Sequence, residues 1–139
     1  MKSNYDLVTL SLLLNIVPFY LFYYNGDIIQ STLIILSSNS SYLYHITYES
    51  SQVFLYLDMF FATLCGINFV VRIYYSNYQL LYTYMLLQSL YFYYLGTGRN
   101  KEIERTYEYK LYHTLWHISG CLTATIYAIL ENSPIHILK

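Results

Sequence analysis

His113 and His117 stand four residues apart in a run with no acid or base between Lys110 and Glu131. On a helix that spacing puts both imidazoles on one face. Imidazole is costly in hydrocarbon, so such groups face a bundle interior or a water-filled cavity. A third histidine, His45, follows Ser41 by one helical turn, and Asp58 lies one to two turns inside the next apolar run. Three imidazoles from two helices, plus an open position, form the ligand set of a catalytic zinc site. Zn–N bonds of ~2.0–2.1 Å require converging rings, which an i, i+4 pair and a facing helix can supply. Zinc held this way lowers the pKa of bound water towards ~7 and polarises a carbonyl. Asp58 would accept the water's proton and return it to the leaving group, or orient a ligand or the water. Ser41 would hold the water or donate to a developing oxyanion. A bis-histidine haem, with His45 facing His113 or His117, is the chemical rival. It leaves one histidine and Asp58 without a task. Purely structural histidines would each need a buried partner of their own.

The elements that must position these groups are written in the composition. The chain has 139 residues, 56% hydrophobic and 11% charged, where a soluble domain carries about a quarter charged. Its 20 tyrosines cluster at run ends, as in Tyr20, Tyr23, Tyr24 and Tyr91, Tyr93, Tyr94, a distribution suited to a bilayer interface. A net charge of −1 gives no footprint for nucleic acid. Cys65 and Cys121 both fall in apolar runs and read as packing residues.

Five runs follow, at about 5–24, 28–47, 53–71, 78–95 and 108–130, each near the ~20 residues needed to span. The expected fold is all-α, one polytopic transmembrane bundle over residues 1–139. The first run lacks a small-residue cleavage site and reads as a retained helix in which Pro18 is a tolerated kink. Asn25-Gly26-Asp27 is a tight turn. Ser37-Ser38-Asn39-Ser40-Ser41 looks like a soluble loop, but apolar residues flank it, and Ser41 and His45 share a face. It therefore reads as a polar stripe turned into the bundle. Burial would leave its Asn39-Ser40-Ser41 sequon unused. Glu49 reads as a loop acid, Gly96 to Thr106 as a charged loop, Trp116 as packing or an interface anchor, Ser119-Gly120 as a small-residue helix contact, and His136 as exposed and idle.

Counting spans places Ser41 and His45 at the exit of run two, Asp58 at the start of run three, and His113 and His117 at the start of run five. All five then lie at similar depth near one membrane face. Lys2, Arg99, Lys101 and Arg105 against Arg72 and Lys139 orient the amino terminus, and with it the site, to the cytoplasm.

The ordered set Ser41-x-x-x-His45, Asp58 and His113-Thr114-Leu115-Trp116-His117 resembles the CREST superfamily. That group takes in alkaline ceramidases, adiponectin-type receptors, GPI-remodelling lipases and myomaker-like proteins. Trp directly before the final His is typical of the ceramidase-like and GPI-lipase-like members. Thr9-Leu10-Ser11 with Asn15 and Pro18, and Tyr44-His45 followed by Glu49, resemble the myomaker-like branch. The resemblance covers residues 9 to about 125. It implies a membrane-embedded hydrolase of a lipid amide or ester, with Zn2+ on His45, His113 and His117, and with Ser41 and Asp58 serving the bound water. Family members usually have seven spans; this chain has room for five, a reduced form lacking the pair between the Asp58 helix and the histidine helix. A homo-oligomer would close that gap, although no residue speaks for one.

Two functions of different class remain. One is a ceramidase-like or GPI-lipase-like hydrolase, favoured by the intact Ser41 and Asp58. The other is a non-enzymatic receptor-like or myomaker-like membrane protein with a structural zinc, favoured by the shortened bundle.

Overall fold

The computed structural model describes residues 7–47, 50–97 and 107–131, and among them every regular element is helical. A short α1 (Leu7–Ser11), a 3-10 turn (Leu12–Asn15) and α2 (Ile16–Tyr24) together make the first rod. Then come α3 (Ile28–Ile46), α4 (Gln52–Tyr74), α5 (Gln79–Thr97) and α6 (Tyr107–Glu131). These five rods lie where the apolar runs predict them. Lys2, Glu49, Arg99, Lys101, Glu102, Glu104, Arg105, Pro134, His136 and Lys139 lie outside the described residues, so the loop-charge orientation and the reading of Glu49 have no structural counterpart.

Local chemistry explains the breaks. Proline lacks an N–H and its ring crowds the carbonyl four residues back. Ahead of Pro18 the helix tightens into the 3-10 turn, and the Leu14 carbonyl accepts the Cys121 thiol at 3.2 Å. α2 ends in a Schellman motif: Gly26 at φ 79° donates to Tyr23 O and Asp27 donates to Phe22 O. Only glycine reaches that φ without strain. Asp27 then caps α3 by accepting from Gln30 N at 3.1 Å, and Ser51 caps α4 by accepting from Phe54 N.

The serine-rich stretch is helical, as its flanks predict. Ser40 donates back to Ser37 O and Ser31 to Ile28 O, so these hydroxyls are satisfied within their own helix. Ser38, Ser41 and His45 are buried on one face. Asn39 is the exception to expectation: the 100° step per residue turns it outward and exposes it.

α5 lies along α6, α4 along α3, and the first rod fills the groove between α3 and α6. α4 meets α5 only weakly beyond their turn. One end of the bundle is closed by Phe22, Ile34, Phe69, Ile73, Tyr82, Tyr127 and Ala128. Arg72 braces that end. Its guanidinium forms an ion pair with Asp27, donates to Asn68 Oδ1 at 2.6 Å and lies 5.8 Å over the Phe22 ring. Asn25 donates to Ala128 O, and Ser76 to the Glu131 carboxylate.

Beside this apolar core the interior is rich in polar side chains, and the surface is rich in large apolar ones. Thr9, Ser11, Gln30, Ser31, Ser41, His45, Ser89, His113 and Thr123 are inside, while large apolar residues on every rod are outside. Two helices, Leu7–Tyr24 and Gln52–Tyr74, are long and apolar enough to cross a membrane. Both cysteines are free and sit on different helices, one half-buried and one buried, as packing residues do.

Candidate metal centre

The bundle end opposite Arg72 holds the polar groups that the spacing singles out. His45 lies in the last turn of α3, and α6 carries His113 and His117 into the same volume. The His45 and His113 ring centroids are 4.8 Å apart, His113 and His117 4.9 Å, and His45 and His117 5.8 Å. One ring nitrogen from each of the three lies within 4.8 Å of the others. Two rods that diverged by another turn would have kept these rings apart, so convergence is a property of the packing and not of the spacing alone.

Burial raises the cost of any ring nitrogen left without a partner. His45 and His113 are each 6% exposed. His117 is half-buried as a whole, yet its Nε2 is sealed from solvent and accepts or donates no hydrogen bond among the described residues. Buried polar atoms are normally partnered, by protein, water or an ion. Three inward-facing imidazoles match the donor set and softness that zinc takes from histidine. The residues present therefore fit a metal.

The two auxiliary groups are also here. Ser41, one turn before His45 on α3, is 3% exposed. Its hydroxyl lies beside the Asp58 carboxylate of α4, but makes no hydrogen bond that meets strict geometry. Asp58 is half-buried and also feels the His45 ring electrostatically. Arg72, the cation on the same helix, is engaged with Asp27 at the far end and is not the partner of Asp58.

Aromatic rings wall the imidazoles. Trp116 stacks on His117, with centroids 4.9 Å apart and planes 27° apart. Tyr93 of α5 packs on Trp116 at 4.7 Å. Tyr109 and Trp116 both meet His113 at 5.1 Å, and Tyr44 meets His45 at 5.4 Å. Trp116 thus packs, as its sequence position suggests, and what it packs against is a candidate ligand.

Two site features escape the sequence reading. Gly96, expected at the start of the charged loop, belongs to α5 and lies against the His113 backbone. Ser119 and Gly120 do form a small-residue contact, and its partner is Ser89: the Ser89 and Ser119 hydroxyls are 2.6 Å apart. The regular seven-residue spacing of Tyr82, Ser89 and Gly96 was the available signal for that helix face. Comparison with protein-family models, with curated proteins and with solved structures returns no match to this chain.

Proposed function

We propose that this chain is a multi-pass membrane hydrolase that binds one Zn2+ through His45, His113 and His117 and cleaves an amide or ester bond of a membrane lipid. The observation that carries the reading is the convergence of three buried imidazoles from two helices, with a carboxylate and a hydroxyl beside them. Three mutually close rings are one more than the axial pair of a haem uses. The ordered residue set that resembles the CREST superfamily points to the same chemistry.

Support for a bilayer setting comes from the apolar surface and the polar groups buried inside. Large apolar side chains stand exposed on all five rods, whereas soluble monomers rarely expose contiguous apolar patches beyond a few hundred Å². Rods of 18 to 25 residues are ~27–38 Å long at 1.5 Å per residue, which matches a ~30 Å hydrocarbon core. Five such rods make five spans, with the amino-terminal end of the first on the site's side.

Zinc, when bound, supplies Lewis acidity and an acidified water. The chain's own groups do the rest. Asp58 takes a proton from the attacking water and delivers it to the leaving nitrogen or oxygen. Ser41, whose hydroxyl lies beside Asp58, orients that water or donates to the oxyanion as the carbonyl is attacked. Trp116 fixes the plane of His117 by stacking. The aromatic wall keeps bulk water from the imidazoles.

The test is hydrolysis by protein purified in detergent. Fluorescent ceramide and a GPI-type ester are offered, with zinc measured on the same samples. The proposal expects cleavage of one of them, lost in Asp58→Ala while zinc stays bound. A wild-type chain that holds zinc and cleaves neither is instead the non-enzymatic, structural-zinc protein.

A further inference from the structure

α5 and α6 meet along a seam of residues spaced seven apart on both helices. Tyr82 packs on Tyr127 with ring centroids 5.0 Å apart. One repeat further on, Ser89 faces Gly120, where an added Cβ would sit 3.8 Å from the serine hydroxyl. Another repeat on, Gly96 faces His113, where an added Cβ would sit 3.2 Å from the His113 backbone nitrogen and 3.5 Å from its Cα. A seven-residue repeat is the period that keeps one seam in register between two helices. The pairs taper from two tyrosines, through serine and glycine, to a glycine against bare backbone. Small residues let backbones approach, and it is at Gly96 that α5 lies tight against the α6 main chain.

We propose that this taper, ending at Gly96, sets the position of the His113 imidazole, so that Gly96 is a positioning residue for the metal centre. The inference deepens the zinc reading and rests on it. Gly96 touches no ligand atom; it acts by letting α5 press against the backbone that carries His113. The atoms an extra methyl would meet are main chain and cannot rotate away, so α6 must move by a few tenths of an ångström. Tyr93, three residues earlier on α5, packs on Trp116, which stacks on His117, so the same displacement reaches the second ligand. Helix propensity alone would make alanine the better residue here, and the two effects therefore have opposite signs.

Three glycines supply the experiment and its controls. Gly66 has open space around its Cβ direction, Gly120 has ordinary contact, and Gly96 is crowded. Zinc affinity is read by competition with a chromophoric chelator on detergent-solubilised full chain, with helix content checked by circular dichroism. Gly96→Ala should weaken zinc binding about 10–100-fold, the range seen when a supporting contact around a metal is lost. Gly66→Ala and Gly120→Ala should stay within about threefold of wild type. Equal affinities in all three variants overturn the proposal. If Gly96→Ala does not fold, Ser89→Val widens the same seam one repeat away and is expected to weaken zinc in the same direction; unchanged affinity there overturns it too.

A second readout does not depend on metal. In a Cys65→Ser, Cys121→Ser background, Tyr93→Cys and Trp116→Cys are oxidised to a disulfide across the seam. Cross-linking should slow severalfold when Gly96→Ala is added. An unchanged rate overturns the positioning role even if wild type binds no zinc, while a slowed rate with no zinc in wild type leaves the taper standing and removes the metal reading.

Discussion

The His45 and His113 rings stand nearly perpendicular, 85° between planes, with centroids 4.8 Å apart. They come from helices whose sequence positions differ by 68 residues, and neither helix carries all three imidazoles. Their meeting depends on α3 ending, and α6 beginning, at the same end of the bundle.

Removing any one ligand should therefore empty the site. His45→Ala, His113→Ala and His117→Ala are each expected to lower zinc affinity by more than the ~100-fold that the loss of a supporting contact can cost. Isothermal titration on purified chains, with wild type binding one zinc per chain, checks this. A variant that keeps full affinity would remove that histidine from the ligand set.

Ser41→Ala separates catalysis from stability. The hydroxyl is buried beside the Asp58 carboxylate, so its deletion removes at most one hydrogen bond and should change stability by only ~1 kcal/mol. Turnover should fall by ~10² if the hydroxyl serves the oxyanion. A thermal melt and an initial-rate assay on the same preparation decide between a catalytic and an idle serine.

Arg72→Ala tests the opposite end. The Arg72–Asp27 pair is partly buried, at 23% and 20% exposure. It lies between the exposed regime, worth ~0–1 kcal/mol, and the buried one, where stranding a charge costs ~3–5 kcal/mol. A loss of ~1–3 kcal/mol follows, with zinc affinity unchanged because the histidines are at the other end. Asp27→Asn should cost about as much, since it removes the same ion pair and strands Arg72, while asparagine still caps α3. A double-mutant cycle measures the coupling, and additive losses would show that the pair contributes nothing.

Sidedness can be read by chemical labelling. Tyr24 and Tyr75 are 88% and 80% exposed at one end of the bundle, and Ser50 is exposed at the other. With the native cysteines replaced by serine, Tyr24→Cys and Tyr75→Cys should react with an impermeant maleimide from one side of sealed vesicles, and Ser50→Cys only from the other. Labelling of all three from one side would break the proposed five-span topology.

Much of this was legible before any coordinate. The five rods follow from apolar runs punctuated by Asn25-Gly26-Asp27 and by polar loops, because helix hydrogen bonds are local and a run of that length has few other stable forms. The side on which Ser41, His45, Asp58, His113 and His117 gather follows from counting reversals. The His113–His117 face follows from helical period.

The contacts between rods were not legible in the same way. That Asp27 pairs with Arg72, that Cys121 reaches Leu14, that Trp116 lies between Tyr93 and His117, and that Gly96 presses on His113 all depend on how each helix is rotated and how closely two axes approach. Those quantities are set by many side chains at once, along the full length of a seam. Local period states which residues share a face; the packing of every other face settles what that face meets.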